Sequence, residues 1–302
     1  MINVERAKKS DRVLKALTGL NVVEFENLTL IFQEQLNKER VKVRKKKEMI
    51  RNEGGGRTHT LQGSESKLMF ILFYMKCYPT YDLAGLLFDV DRAQPFRWVK
   101  EFLHILEKSL GKTLSLPKRQ IRSLKEFFEL FPEVKEVIID GTERPIQRPK
   151  NKEKQKEHYS GKKKKHTKKN IVVATKKKRI LILTPTEPGK EHDYTILKKT
   201  KIPNKIPEQI RVFVDLGFKG IQNDYDLNIR IPHKKPRTKE LTKTQKKINK
   251  AISRVRVKVE NTLSGIKRYR CITDVCRTKL DELSDKFMFL ASGLWNYHLS
   301  MK

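Results

Sequence analysis

Three carboxylates stand where an α/β chain could present them together. Val137-Ile138-Ile139-Asp140 and Val212-Phe213-Val214-Asp215 are short, β-branched runs that each stop at an aspartate, and Glu260 lies in the basic stretch Arg254-Val255-Arg256-Val257-Lys258-Val259-Glu260-Asn261. An apolar run that ends in an acid is the pattern of a buried strand delivering a carboxylate to a sheet edge. Carboxylates gathered at one edge raise one another's pKa unless a cation binds, and hard oxygen donors suit Mg²⁺ or Mn²⁺. The expected occupant is therefore a divalent metal. With so basic a remainder, the expected substrate is a nucleic-acid backbone.

The elements that must position these acids can be read from periodicity. Strands are predicted over Glu136 to Asp140, Asn170 to Thr175, Arg179 to Pro185, Ile210 to Asp215 and Asn228 to Pro232, with a helix through Asp193 to Lys199. A meander followed by helix-linked strands gives an α/β sheet. A long helix is predicted from about Thr242 to Arg270, because Thr242 and Gln245 have capping-box spacing and Ile248, Ile252, Val255, Val259, Leu263 and Ile266 recur at intervals of three or four. At about 100° per residue, Arg256, Glu260 and Lys267 fall on one stripe beside that apolar face, so Glu260 can meet a metal while the two cations hold phosphates. The competing reading is an ordinary Arg256–Glu260 surface pair, worth a few tenths of a kcal/mol. A final apolar helix is predicted over Lys279 to Leu299.

Upstream, residues 1–60 form a basic segment that ends in the charged run Lys38 to Arg51 and a glycine hinge at Gly54-Gly55-Gly56-Arg57. Residues 61–116 read as three helices. Leu68, Leu72 and Met75 share one face of the first, Thr80 caps the second, and the third follows Asp91 with Pro95 in its first turn. Two helices joined by Phe88 to Asp91 fit a helix-turn-helix whose third helix reads DNA with Arg92, Gln94 and Arg97. A plain helical bundle fits the same pattern. Residues 117–302 form the third segment, which carries the acids.

Composition narrows the partners. The 302 residues carry 68 Lys and Arg against 35 Asp and Glu, a formal net charge of +33, which implies a polyanionic partner. An anionic membrane is disfavoured, since the longest apolar stretch, near Leu68 to Tyr74, is far short of a spanning helix. No signal peptide is expected at the amino terminus. Cys77, Cys271 and Cys276 give neither an even disulfide set nor zinc spacing, so reduced thiols, no zinc and a cytoplasmic location are expected. From Arg144 to Arg179 there are 16 Lys or Arg against Glu153 and Glu157, a stretch that reads as phosphate-contacting or as a solvated loop. Three auxiliary candidates remain. His192 is a proton-transfer group or a structural partner of Asp193, and Glu143 is a fourth metal ligand or an ion-pair partner for Arg144 or Arg148. Trp98 and Trp295 read as core.

Taken in order, several blocks resemble the DDE transposases of bacterial insertion sequences, in the branch similar to Harbinger-type nucleases. Asp140-Gly141-Thr142-Glu143 with Pro145-Ile146 and Arg148-Pro149 resembles the first catalytic block. Tyr159-Ser160-Gly161-Lys162-Lys163-Lys164 through His166-Thr167 and Lys169 resembles the basic second block. Gly189 with His192-Asp193, then Asp215-Leu216-Gly217-Phe218-Lys219-Gly220, resemble the next two. Asn249, Ser253, Arg256, Glu260, Asn261 and Lys267 resemble the last, although Ser253 stands where related families often have tyrosine.

The resemblance implies an RNase H-like fold, here a mixed five-stranded sheet flanked by helices and preceded by the helix-turn-helix domain. It implies two divalent ions, Mg²⁺ or Mn²⁺, shared by Asp140, Asp215 and Glu260. DNA contacts are expected from Arg256, Lys267, Lys162, Lys163, Lys164, His166 and Lys169. The implied activity is cleavage at the terminal inverted repeats of an element and joining of the freed 3′ hydroxyl to target DNA. Double-stranded DNA is then the partner, a homodimer is expected because two ends must meet, and the DNA-bound protein would lie in the nucleoid. Two other readings are a non-catalytic DNA-binding regulator and an RNase H-like nuclease acting on RNA or hybrids.

Overall fold

The computed structural model describes residues 2–46, 60–238 and 240–302, so the glycine hinge lies outside the described residues. The helices α1 (Val4–Lys8), α2 (Asp11–Thr18), α3 (Val22–Lys46), α4 (Gly63–Cys77), α5 (Tyr81–Phe88) and α6 (Ala93–Lys112) come first. Then follow α7 (Leu124–Leu130), β1 (Glu136–Pro145), α8 (Lys152–His158), β2 (Tyr159–Ser160), β3 (Lys165–Ala174), β4 (Ile180–Leu183) and β5 (Glu187–Pro188). The chain ends with α9 (Asp193–Thr200), β6 (Arg211–Phe213), α10 (Ile221–Asp224), β7 (Asn228–Arg230), α11 (Lys243–Ile266), α12 (Arg270–Thr273) and α13 (Asp281–Ser300). It divides into two compact units. The first holds residues 1–116, 268–274 and 286–302, and the second residues 117–267 and 275–285.

The described residues of the first unit form helices and no strand. Where composition shows only a basic segment, α1 to α3 form, because Asn3 and Ser10 accept N-cap hydrogen bonds and Phe25, Leu28, Phe32 and Leu36 bury one face of α3. Phe70 of α4 anchors an aromatic cluster, with ring centroids 5.1 Å from both Phe88 and Trp98 and 6.2 Å from Phe102. Trp98 and Trp295 are both buried, as core residues should be. Between α5 and α6 the turn is tightly specified. Thr80 caps α5 through Leu83 N at 3.1 Å, Asp89 takes a left-handed φ of 54°, and Asp91 Oδ1 accepts from Ala93 N at 2.8 Å. A Cβ on Gly85 would lie 2.7 Å from the Val90 carbonyl oxygen, so only glycine lets the turn fold back onto α5. Arg92 and Arg97 are exposed at the start of α6 and Gln94 is half-buried.

The second unit is built on a mixed sheet. β4, β3 and β1 are antiparallel neighbours, and β6 and β7 continue the sheet parallel to β1, which is the strand arrangement of an RNase H-like sheet. The two-residue strands β2 and β5 also pair with β3, so the described sheet has seven strands where the sequence predicts five. Val137 and Ile139 of β1, Ile171 and Val173 of β3 and Val212 of β6 join Val214 in one apolar core with Phe127 of α7 and Ile196 and Leu197 of α9. Strand alternation then turns Ile138 and Asp140 to the opposite face. Helix α11 packs across β1 and β6, burying Ile252, Val259, Leu263 and Ile266, and its Thr242–Gln245 capping box is formed.

Candidate active site

The pairing of β1 with β6 brings the two aspartates together. The register is Glu136↔Arg211, Val137↔Val212 and Ile138↔Phe213, and both Asp140 and Asp215 come two residues beyond the last pair. Each carboxylate is pinned by a nearby backbone amide. Asp140 Oδ1 accepts from Gly141 N at 2.9 Å, and Asp215 Oδ1 accepts from Gly217 N at 2.7 Å, capping the 3₁₀ turn Leu216–Phe218. Their Oδ2 atoms are thereby left to other partners.

Helix α11 supplies the cation. Arg256 Nη2 lies 3.8 Å from Asp215 Oδ2, and the Nε of Arg256 is buried without a hydrogen-bond partner. Glu260 is one turn further along and exposed, and its side chain makes no hydrogen bond or ion pair among the described residues. Lys267 follows at the helix C-cap, also exposed.

Electrostatics single out Asp140. Burial pushes its carboxyl up to about 6; the Arg256 guanidinium opposes that push, while the charges of Asp215 and Asp193 reinforce it. A carboxylate in this condition is short of positive charge. Among the described residues no three His, Cys, Asp or Glu side chains are gathered closely enough to hold an ion, so closing the predicted triad requires Glu260 to turn in beside Asp140 and Asp215. The donor set fits a hard divalent cation nonetheless. It is all oxygen, two of its members are in register, and desolvation raises the Asp140 carboxyl, an effect that a bound cation would reverse.

Asp193 is the auxiliary candidate that lies nearest the aspartate pair, since its charge acts on Asp140. It begins α9 on the far side of β1, where its Oδ2 lies 2.7 Å from the position a Gly141 Cβ would occupy. Gly141 is thus required for Asp193 to approach the strand. Lys169 Nζ sits 3.2 Å from Asp193 Oδ1 and donates to the Glu191 carbonyl at 2.9 Å. Exposed His192 provides the N-cap position of α9 with no side-chain cap bond. Glu143 accepts from Thr167 Oγ1. Arg144 is buried and donates to the Ser284 carbonyl and Thr186 Oγ1, each at 2.7 Å, while Arg148 pairs with Gln155.

The basic second block is sorted by the hairpin of β2 and β3. Lys162, Lys163 and Lys164 are exposed in the turn between the paired residues Ser160 and Lys165. His166 packs edge-on against Tyr159, and burial together with the Arg148 charge holds it below its ordinary pKa. Lys168 turns inward to Asp281 at 2.6 Å, and Lys169 to Asp193. No helix among the described residues is long and apolar enough to cross a membrane.

Two family models match the chain in succession. Residues 59–112 match the helix-turn-helix of DDE superfamily endonucleases, and residues 139–296 match the DDE superfamily endonuclease family itself. The chain is 27% identical over 302 residues, covering all of both chains, to a probable transposase for insertion sequence element IS702 from Microchaete diplosiphon. No solved structure matches it. The second family match spans more than half of the chain, from Ile139 in β1 through α11 to the terminal helix, and the chain belongs to the DDE superfamily endonuclease family.

Proposed function

We propose that this chain is a transposase that binds the terminal inverted repeats of its own element, cleaves the ends by metal-dependent phosphodiester hydrolysis and joins the freed 3′ hydroxyl to target DNA. The observation that carries this reading is the in-register pair Asp140 and Asp215, with half-buried Asp140 raised to about 6 by desolvation and by the neighbouring Asp215 charge. Asp140, Asp215 and Glu260 would hold the metal, two ions in all. Bound there, divalent ions would acidify the attacking hydroxyl and offset charge on the leaving oxygen in an in-line displacement.

The chain's own groups supply positioning. The amides of Gly141 and Gly217 fix one oxygen of each aspartate, which preorganises both carboxylates before substrate arrives. Glu260, unpartnered and exposed, is free to swing toward the strand ends. Arg256 and Lys267, on its stripe, take backbone phosphates. Exposed Lys162, Lys163 and Lys164 grip the duplex further along, while Arg92, Gln94 and Arg97 read the repeat in the major groove. Two such chains would bring the two ends together.

The test is cleavage of three substrates by the purified protein in Mg²⁺ or Mn²⁺: a duplex bearing the element's ends, an RNA–DNA hybrid and RNA. Cutting confined to the end-bearing duplex is expected. Preferential cutting of hybrid or RNA would favour the RNase H-like nuclease reading, and binding without metal-dependent cutting would favour the regulator.

A further inference from the structure

Arg256 is the cation set beside the two aspartates that are expected to hold a metal. Its guanidinium is the cation closest to the paired aspartates on their own face of the sheet, 3.8 Å from Asp215 Oδ2, and it exerts the largest charge effect on Asp140. Glu260, the acid four residues on, stands away with no partner. Two features make this a substitutable contact rather than a fixed structural bridge. At 3.8 Å the ion pair is loose, and the side chain is only partly exposed, yet its buried Nε–H has no acceptor. A buried donor left unsatisfied carries a free-energy cost that a phosphate oxygen would remove, and a guanidinium fork matches phosphate geometry.

We infer that Arg256 is an internal counter-ion that holds the metal position between Asp140 and Asp215 until a DNA phosphate draws it away, so that DNA binding and metal loading are coupled through one side chain. The inference rests on the reading above that these aspartates hold a divalent cation. With DNA absent, guanidinium and metal compete for the same two carboxylates. With DNA bound, the guanidinium satisfies its Nε on a phosphate and the carboxylates are released. Linkage then requires the converse: metal must tighten DNA binding by the same factor as DNA tightens metal binding.

The test is Mn²⁺ binding to the full chain, followed by calorimetric or paramagnetic titration, with and without a short duplex. Without DNA, Arg256→Gln and Arg256→Met should each bind Mn²⁺ about tenfold more tightly than the wild type, because a unit charge beside the carboxylates is gone. Wild-type affinity should rise by a comparable factor when duplex is added, and that rise should be lost in both variants. Arg254→Gln removes an exposed cation two residues away and should leave Mn²⁺ affinity unchanged. Equal or weaker Mn²⁺ binding by both Arg256 variants without DNA would overturn the inference, as would an equal gain in Arg254→Gln. The underlying reading fails separately: Asp140→Asn must lose Mn²⁺ binding, and if it binds like the wild type the aspartates are not the metal site at all.

Discussion

Replacing half-buried Asp140 should stabilise the metal-free protein while destroying the site. Burial raises the Asp140 carboxyl from 3.8 to about 6, so the folded chain holds this proton more tightly than the unfolded chain does. Above pH 7 the group is ionised in both states and the native state carries the full penalty, which for about two pKa units is at most about 3 kcal/mol. As pH falls through 6 the native carboxyl takes up its proton and the penalty is relieved; below about 4 both states are protonated and none remains. Asp140→Asn removes the charge, keeps the side-chain shape and retains an Oδ1 that can accept from Gly141 N. At pH 8 without divalent ions the variant should therefore be more stable by up to about 3 kcal/mol, a rise in Tm of roughly 5–10 °C for a unit of this size. At pH 4 the two proteins should melt together. Adding Mn²⁺ at pH 8 should raise the wild-type Tm and leave that of the variant unchanged. Calorimetry at the two pH values measures all three outcomes. A variant that melts lower than the wild type at pH 8, or one whose advantage persists at pH 4, would refute the argument that burial strains this carboxylate.

Further perturbations probe the scaffold and the DNA contacts. A Cβ at Gly189 would lie 2.0 Å from Thr167 Oγ1 and 2.7 Å from the Thr167 carbonyl, so Gly189→Ala should destabilise the second unit by about 3 kcal/mol or more, read in urea denaturation. Gly141→Ala should displace Asp193 and lower the protein's affinity for Mn²⁺, with a smaller loss of stability because the blocking atoms belong to a side chain. If Lys162, Lys163 and Lys164 contact phosphates, changing all three to Gln should reduce the slope of log K against log salt by about 0.9 per contact, or close to 3, measured by DNA titration at several ionic strengths. An unchanged slope would return that hairpin turn to solvent.

What could be read in advance divides by the range of the interactions involved. Local signals located β1 and β6 and the capped starts of α5 and α11, but not the strand ends: β1 runs on past Asp140 to Pro145 because it keeps pairing with β3, and β6 stops at Phe213, two residues before Asp215. The parallel pairing that sets those aspartates level follows from strand order, which alternation alone does not state. Arg256 and Glu260 are about 40° apart on a helix, so periodicity placed both on one stripe without deciding which faces the acids. That choice is made by the packing of α11 across β1 and β6. The lysines of the second block look alike in sequence, yet the pleat leaves Lys162 to Lys164 in the turn and turns Lys168 and Lys169 to Asp281 and Asp193. Helices α1 to α3 were hidden by charge, although the buried spacing Phe25, Leu28, Phe32, Leu36 was present to be found. From Lys286 onward the terminal helix belongs to the first unit, an allegiance set by contacts hundreds of residues apart, such as Tyr297 Oη donating to the Glu24 carbonyl at 3.0 Å.

On the proposed reading Asp140, Asp215 and Glu260 together hold the metal that cuts DNA. Single-turnover nicking of an end-bearing duplex in Mg²⁺, measured for the wild type and for Asp140→Asn, Asp215→Asn and Glu260→Gln alongside DNA binding, tests it most directly. The wild type should nick at the element ends, and each variant should lose nicking by at least about a thousandfold with end binding retained. Wild-type rates of nicking in any one of the three variants would contradict it.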